Sequence, residues 1–348
     1  MHGWPLRVAK GVGFLRYLKK AKPTMHRLLL GLGFITALVA ACEVTTPSEL
    51  EIGFPALHQP PTTLEVFAPG RISSHHVQRD IAIAPDSAII LYTLASPERA
   101  FAAIMEVRRS EQGWSTPKVA PFSGRFMDLE PAFSPDGRWL YFSSNRPLSG
   151  DSTQDFDLWR VPRTVQGWGK PENLGHPVNG PGDDFYPSLA ANGNLYFTAS
   201  RPDSKGNEDI YQAIWTDSGY SSPTPLGTGI NSTGFEFNAF VSPDESYLIF
   251  TGYARPGGLG SGDLYISFRE AGGWSVAQSL GEGINSSKMD YCPTVWQDAL
   301  FYTTSRNPLA DSATTAWPTE TIMQLLNGPT NGNTSIFWLQ FDPDAYRD

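Results

Sequence analysis

The sequence predicts an all-β fold, a five-bladed β-propeller of four-stranded antiparallel blades whose last blade is closed by an N-terminal strand. Three observations predict it. The composition is turn-rich, with 33 glycines and 29 prolines against 18% charged residues, as in all-β rather than helical or disordered chains. One phrase, an apolar run, a tight turn and a second apolar run, recurs five times. The two ends are complementary: a spare strand precedes the first copy, and the last copy lacks one.

Residues 1–42 stand apart from this pattern. They hold seven Lys or Arg, no Asp or Glu, and the apolar run LLLGLGFITALV from Leu28 to Val39. A run of this length is short for a bilayer span and suits the apolar centre of a secretory signal. Met25 makes a better start than Met1, because His26-Arg27 then forms a short basic head. Val39-Ala40-Ala41-Cys42 resembles the lipobox of bacterial lipoproteins. That resemblance implies cleavage before Cys42, lipid on its new N-terminus, and a membrane anchor worth roughly 0.8 kcal/mol per buried methylene. Glu43 stands where an Asp would signal inner-membrane retention, so the outer membrane is the expected site. The alternative is a signal peptide that ends near an incidental Cys. Residues 43–62, with TTPS and HQPPTT, read as an extended, poorly packed tether, and residues 63–348 as the propeller.

Without the leader, 19 basic residues face 35 acidic ones, a net charge of −16. Such a surface repels nucleic acid and anionic headgroups, so neither is an expected partner. Cys42 and Cys292 are the only cysteines, which leaves a mature lipoprotein without an internal disulfide.

The five copies are IAIAPDSAIILYTLASP from Ile81, EPAFSPDGRWLYFSSNRP from Glu130, YPSLAANGNLYFTASRP from Tyr186, NAFVSPDESYLIFTGYARP from Asn238 and CPTVWQDALFYTTSRN from Cys292. Proline presets the backbone at the start of each turn, and Asp and Gly accept the remaining angles. The second run is rich in Tyr, Phe and Ile, as strands are, so each phrase is a hairpin. A third run follows at Ile104, Asp157, Asp209, Asp263 and Ser335, and a fourth begins beyond Trp114, Trp168, Tyr220 and Trp274. Four strands in about 50 residues is a propeller blade. The last copy ends after SIFWLQFD without a fourth strand, while LEVFAPGRIS, Leu64 to Ser73, precedes the first hairpin. The orphan strand completes the open blade.

The motifs SPDGRWLYFSSNRP, GDLYISFREAGGWSVAQSLGEGINS and VNGPGDDFYP resemble the WD40-like PD40 repeats of TolB-type propellers, over roughly residues 64 to 343. That resemblance implies the propeller fold and a place in the bacterial periplasm or outer membrane. It leaves the ligand open, because the family spans translocation scaffolds, surface lipoproteins and protease accessory domains. The third copy departs from it with Ala190-Ala191-Asn192-Gly193, and the fifth shortens its turn to Gln297-Asp298.

Candidate functional residues follow from blade spacing. The first strand of each blade starts at Gln78, Asp128, Asp184, Glu236 and Asp290, and the second strands end near Arg146, Arg201, Arg255 and Arg306. Recurring acids and arginines suggest a belt of ion pairs. It either holds the blades in register or lines a polar funnel for a peptide, glycan or cation. A glycosidase would use the same carboxylates, although catalysis needs distinct roles and these acids occupy equivalent positions. In the fifth blade Asn307 to Thr334 forms a long insertion containing Trp317. It is a ligand-binding element or a cover over the closure seam. His75-His76 reads as an exposed loop pair, Asp151 to Asp157 as an acidic turn, and Cys292 as a buried thiol. No cofactor or metal is expected. The expected function is a lipid-anchored envelope scaffold that binds a protein, a peptide or a glycan.

Overall fold

A computed structural model describes residues 54–150, 154–307 and 316–347. The leader with Met25, the proposed lipid site Cys42 and the tether up to residue 53 lie outside the described residues, as do Asp151 and part of the insertion.

The chain forms a five-bladed all-β propeller. The first strands are Val77–Ile83, Asp128–Phe133, Asp184–Leu189, Phe235–Val241 and Asp290–Trp296. They pack side by side in cyclic order, blade 5 returning to blade 1. Each pairs antiparallel with a second strand: Ile89–Ala95, Trp139–Ser144, Leu195–Ala199, Tyr247–Tyr253 or Ala299–Thr304. Third strands follow at Ala102–Ser110, Asp157–Thr164, Asp209–Ala213, Gly262–Glu270 and Ser335–Gln340. All hairpin turns therefore lie on one face of the ring. The loops entering the first strands lie on the other, together with those joining second to third strands.

The fourth strands are shorter than their apolar content suggests. In blade 1 only Gly113–Trp114 and Lys118–Val119 pair with the third strand, and blades 2 and 4 repeat this split. Where the backbone leaves the ladder, a serine hydroxyl accepts an N–H in or directly after the third strand: Ser115 from Arg108, Ser221 from Ile214 and Ser275 from Phe268. Short, interrupted edges offer little template for pairing with another chain.

Blade 5 closes as its sequence demands. Glu65–Val66 pairs antiparallel with Trp338 and Phe337, and Phe67 N–H continues the ladder to Ile336 O. Five apolar clusters fill the blade interfaces, and the one at the seam joins Phe67 and Ile72 to Ile81, Ile83, Phe301 and Trp338. Residues 54–62, expected to be poorly packed, lie against this seam. Leu57 is buried, Phe54 stacks on Trp114 at 4.8 Å, and His58 shares a 2.8 Å hydrogen bond with Gln297. Phe54 and Leu57 supply apolar anchors that the Pro and Thr around them concealed. This segment meets the ring on the hairpin-turn face.

Two glycines hold the opposite face together. A Cβ on Gly206 would stand 2.2 Å from Gly234 O, and one on Gly260 would stand 2.0 Å from Lys288 O. Both sit in loops between second and third strands and press against the loop entering the next blade. Gly260→Ala is expected to destabilise the protein by about 1–3 kcal/mol through overpacking against backbone. The measurement is the urea midpoint; an unchanged value would mean that these loops part freely.

Candidate functional site at the ring axis

The belt of acids and arginines forms, and it lies inside the wall. Asp128, Asp184, Glu236 and Asp290 are at most 1% exposed. Arg146 reaches Asp128 at 2.6 Å, Arg201 reaches Asp184 at 2.8 Å, Arg306 reaches Asp290 at 3.1 Å, and Arg255 stands 3.9 Å from Glu236. Each pair joins the first and second strands of one blade. Each arginine also donates to a carbonyl of the loop arriving from the preceding blade: Phe122, Val178, Ile230 or Ile284. Its guanidinium lies over two aromatic rings, as Arg146 does over Phe142 and Trp159. The acids bind that loop too, Asp184 accepting from Gly180 N–H, Glu236 from Ser232 and Asp290 from Ser286.

The asparagines five residues earlier serve the preceding blade. Asn179, Asn231 and Asn285 each accept from and donate to the backbone of one third-strand residue, Leu158, Ile210 or Leu264. Blade position alone therefore accounts for the whole motif. Burial pushes the Asp184 carboxyl up to about 6, against the opposing pull of Arg201 and Gly180 N–H. Gln78, which replaces the acid in blade 1, pairs with Ser74 instead. Trp317 is half-buried in the insertion, just ahead of the helix α1, Thr319–Asn327. Among the described residues it shares no hydrogen bond or ring contact with the belt. The insertion is pinned across the seam, where Asn331 and Asn333 donate to His75 O.

A second ring, two residues further along each first strand, differs in every blade: Asp80, Glu130, Tyr186, Asn238 and Cys292. All five adopt positive φ, between 51° and 60°, a left-handed conformation that costs a non-glycine residue of order 1–3 kcal/mol. At each, strand pairing slips by a residue. The freed N–H groups of the first four reach across to the preceding blade: Asp80 to Thr303, Glu130 to Thr93, Tyr186 to Ser143 and Asn238 to Thr198.

The side chains of this ring meet on the axis. Arg79 Nε donates to Asp80 at 2.7 Å and Nη2 to Glu130 at 2.7 Å, and Nη2 also approaches Cys292 Sγ at 3.3 Å. Cys292 donates to Asn238 Oδ1 at 3.4 Å. Tyr186 spans from blade 3 to blade 5, where its hydroxyl donates to Pro293 O at 2.8 Å. The channel is thus plugged by side chains from all five blades. Burial, with the charge of Asp80 adding to it and that of Arg79 opposing it, pushes the Glu130 carboxyl up to about 7. Burial also pushes the Cys292 thiol well up, which favours its neutral form.

On the loop side of the plug lies the ring of residues next to the belt: Arg79, Leu129, Phe185, Phe237 and Tyr291. Phe185 and Phe237 are half-buried and pack with Met289 against Tyr186, Tyr291 and Cys292. Arg79 lies over the Tyr291 ring at 5.2 Å. Here the fivefold repeat is broken, with one cation among apolar neighbours. The sequence signal for both rings is disagreement between the copies at the two positions after a recurring acid. Among the described residues, no group of three His, Cys, Asp or Glu is arranged to hold a metal ion. His75 and His76 are exposed neighbours with ring centres 3.9 Å apart.

The sequence matches no family model, and a search of the curated proteins finds no match. Solved structures share the fold at a distance. TolB from Acinetobacter baumannii is 16% identical with a TM-score of 0.42, over 77% of this chain and 56% of TolB, so the chain spans little more than half of that protein. The catalytic domain of a GH62 α-L-arabinofuranosidase from Coprinopsis cinerea is 12% identical with a TM-score of 0.47, over 80% of this chain and 94% of that domain. A protein of unknown function from Dyadobacter fermentans is 12% identical with a TM-score of 0.43, over 71% of this chain and 79% of its own. The likeness is one of propeller architecture.

Proposed function

We propose that this propeller is a non-enzymatic binding module of the bacterial envelope, lipid-anchored through Cys42 at the outer membrane, that takes a protein or peptide ligand on its loop face. The observation that carries this reading is the burial of the belt. A glycosidase needs one carboxylic acid and one carboxylate turned towards the sugar, and all four belt acids are instead enclosed and bonded within the wall. What departs from the repeat, and so has scope for specificity, gathers on the loop face: Arg79 with Phe185 and Phe237 at the mouth, and the insertion with Trp317. Rigid elements presenting variable loops are the usual basis of such recognition. The segment from Phe54 to Pro61 meets the hairpin-turn face, opposite the loop face.

The test is a crosslinking pulldown from envelope extracts with three folded proteins: the mature chain, a variant lacking residues 308–332, and Phe185→Ala/Phe237→Ala. A partner captured by the mature chain and lost from either variant supports the reading and says which part of the face is used. Capture by none of them, together with polysaccharide turnover that disappears in Asp184→Asn, would replace it with the carbohydrate-cleaving alternative.

A further inference from the structure

We propose that the ring axis is a proton-binding site, in which Asp80 and Glu130 hold the one Arg79 guanidinium between blades 1 and 2 and the carboxylate in excess carries an exchangeable proton. The charge count carries the argument. Asp80 is 1% exposed and Glu130 4%, and both are 2.7 Å from the same guanidinium. Two ionised carboxylates on one cation leave a net negative charge sealed from water. An uncompensated buried ion costs several kcal/mol even after relaxation. Uptake of a proton removes that cost, and of two carboxyls sharing a site one is held neutral.

Apart from Arg79, the groups bonded to Glu130 are neutral. From its own blade Glu130 receives the Ser143 hydroxyl, and from blade 3 the Tyr186 N–H, both on Oε2. Blade 5 contributes the Cys292 thiol and the Tyr291 phenol, which burial keeps protonated and neutral. Arg99 acts on the Tyr291 side of the cluster. Asp80 meets the guanidinium through Oδ1, and its Oδ2 has no hydrogen-bond partner. Because the two carboxyls are coupled, the proton belongs to the pair rather than to one residue.

The sign of the linkage follows. With the Glu130 carboxyl raised from 4.5 to about 7, the folded chain holds a proton that the unfolded chain has already lost across that interval. The stability it contributes is fully present below about 4.5 and declines as pH rises to about 7. Most proteins gain stability from carboxylates over this range, so the axis works in the opposite direction.

The experiment is a carbon-13 carboxyl NMR titration of the intact folded propeller, read beside thermal melts at about pH 5 and about pH 8. The Glu130 carboxyl is expected to titrate near neutrality in the wild type, and Glu130→Gln is expected to remove that transition and reduce the wild-type loss of melting temperature between the two conditions, leaving the share that Asp184 contributes. Titration of the Glu130 carboxyl below about pH 5 would overturn the proposal whatever Asp184 does outside the axis, and that readout needs only the wild-type protein. A Glu130→Gln variant that keeps the full alkaline loss would overturn it too.

Discussion

Asp128→Ala is expected to lower stability by about 3–5 kcal/mol, the usual cost of leaving one member of a buried ion pair alone. Asp128 is fully buried and accepts from Ser123, Ser144 and Arg146 at 2.8, 2.6 and 2.6 Å. Its loss strands the Arg146 cation between Phe142 and Trp159. A urea titration would read the effect as a lower midpoint at unchanged slope. Two comparisons make the prediction specific. Asp128→Leu/Arg146→Met removes both charges and should recover much of the loss. Glu236→Gln should cost less than Asp128→Ala, because Arg255 stands 3.9 Å away and the amide retains bonding to Ser232. A loss below about 1 kcal/mol in Asp128→Ala, the level of an exposed pair, would mean that the belt does not hold the blades together.

Phe67→Ala is expected to be comparably severe, at about 3–5 kcal/mol for a large aromatic deleted from a packed core. Phe67 is 0% exposed and sits edge-on to Phe301 at 5.0 Å and Trp338 at 5.3 Å, with Phe54 at 5.8 Å. It is the main apolar contact of a closing strand that pairs over only two residues. Weakening it uncovers the edge of Ser335–Gln340, and an open edge recruits other chains. The variant should therefore melt earlier and form soluble oligomers on size-exclusion chromatography. A monomer with the wild-type melting temperature would show that the ring stays closed without this contact.

The fold was legible because its determinants are local. Alternating apolar runs, turn residues and a spare strand each act within a few residues, and five copies reinforce one another. The acid–arginine pairs were legible for the same reason, since a fixed spacing in a repeated unit implies a fixed distance. Their enclosure was not, because it depends on Phe122, Val178, Ile230 and Ile284 in loops of the neighbouring blade. Nor was the axial ring: Glu130 and Cys292 bear no motif, and nothing in an ordinary strand sequence announces a left-handed residue. The split of the fourth strands escaped for a related reason, in that Trp114 and Trp274 mark burial and not backbone pairing. Composition misjudged residues 54–62, where Phe54 and Leu57 outweigh the prolines around them.

The closing strand has a consequence for how the molecule comes into being. Ser73 bonds to Ile336, a partner 263 positions away, and Glu65–Val66 wait for the same final strand. During synthesis the first piece of the propeller to leave the ribosome is paired by the last. Contacts of such high order make folding slow, and until the strand Ser335–Gln340 arrives the closing strand Glu65–Val66 has no partner. A circular permutant of residues 54–347 opened at the hairpin turn of blade 3, with residue 347 linked to residue 54, would make that pairing early. Blade 5 should then close early and blade 3 last, because its first and second strands become the pair at the two new ends, while the same ring is reached.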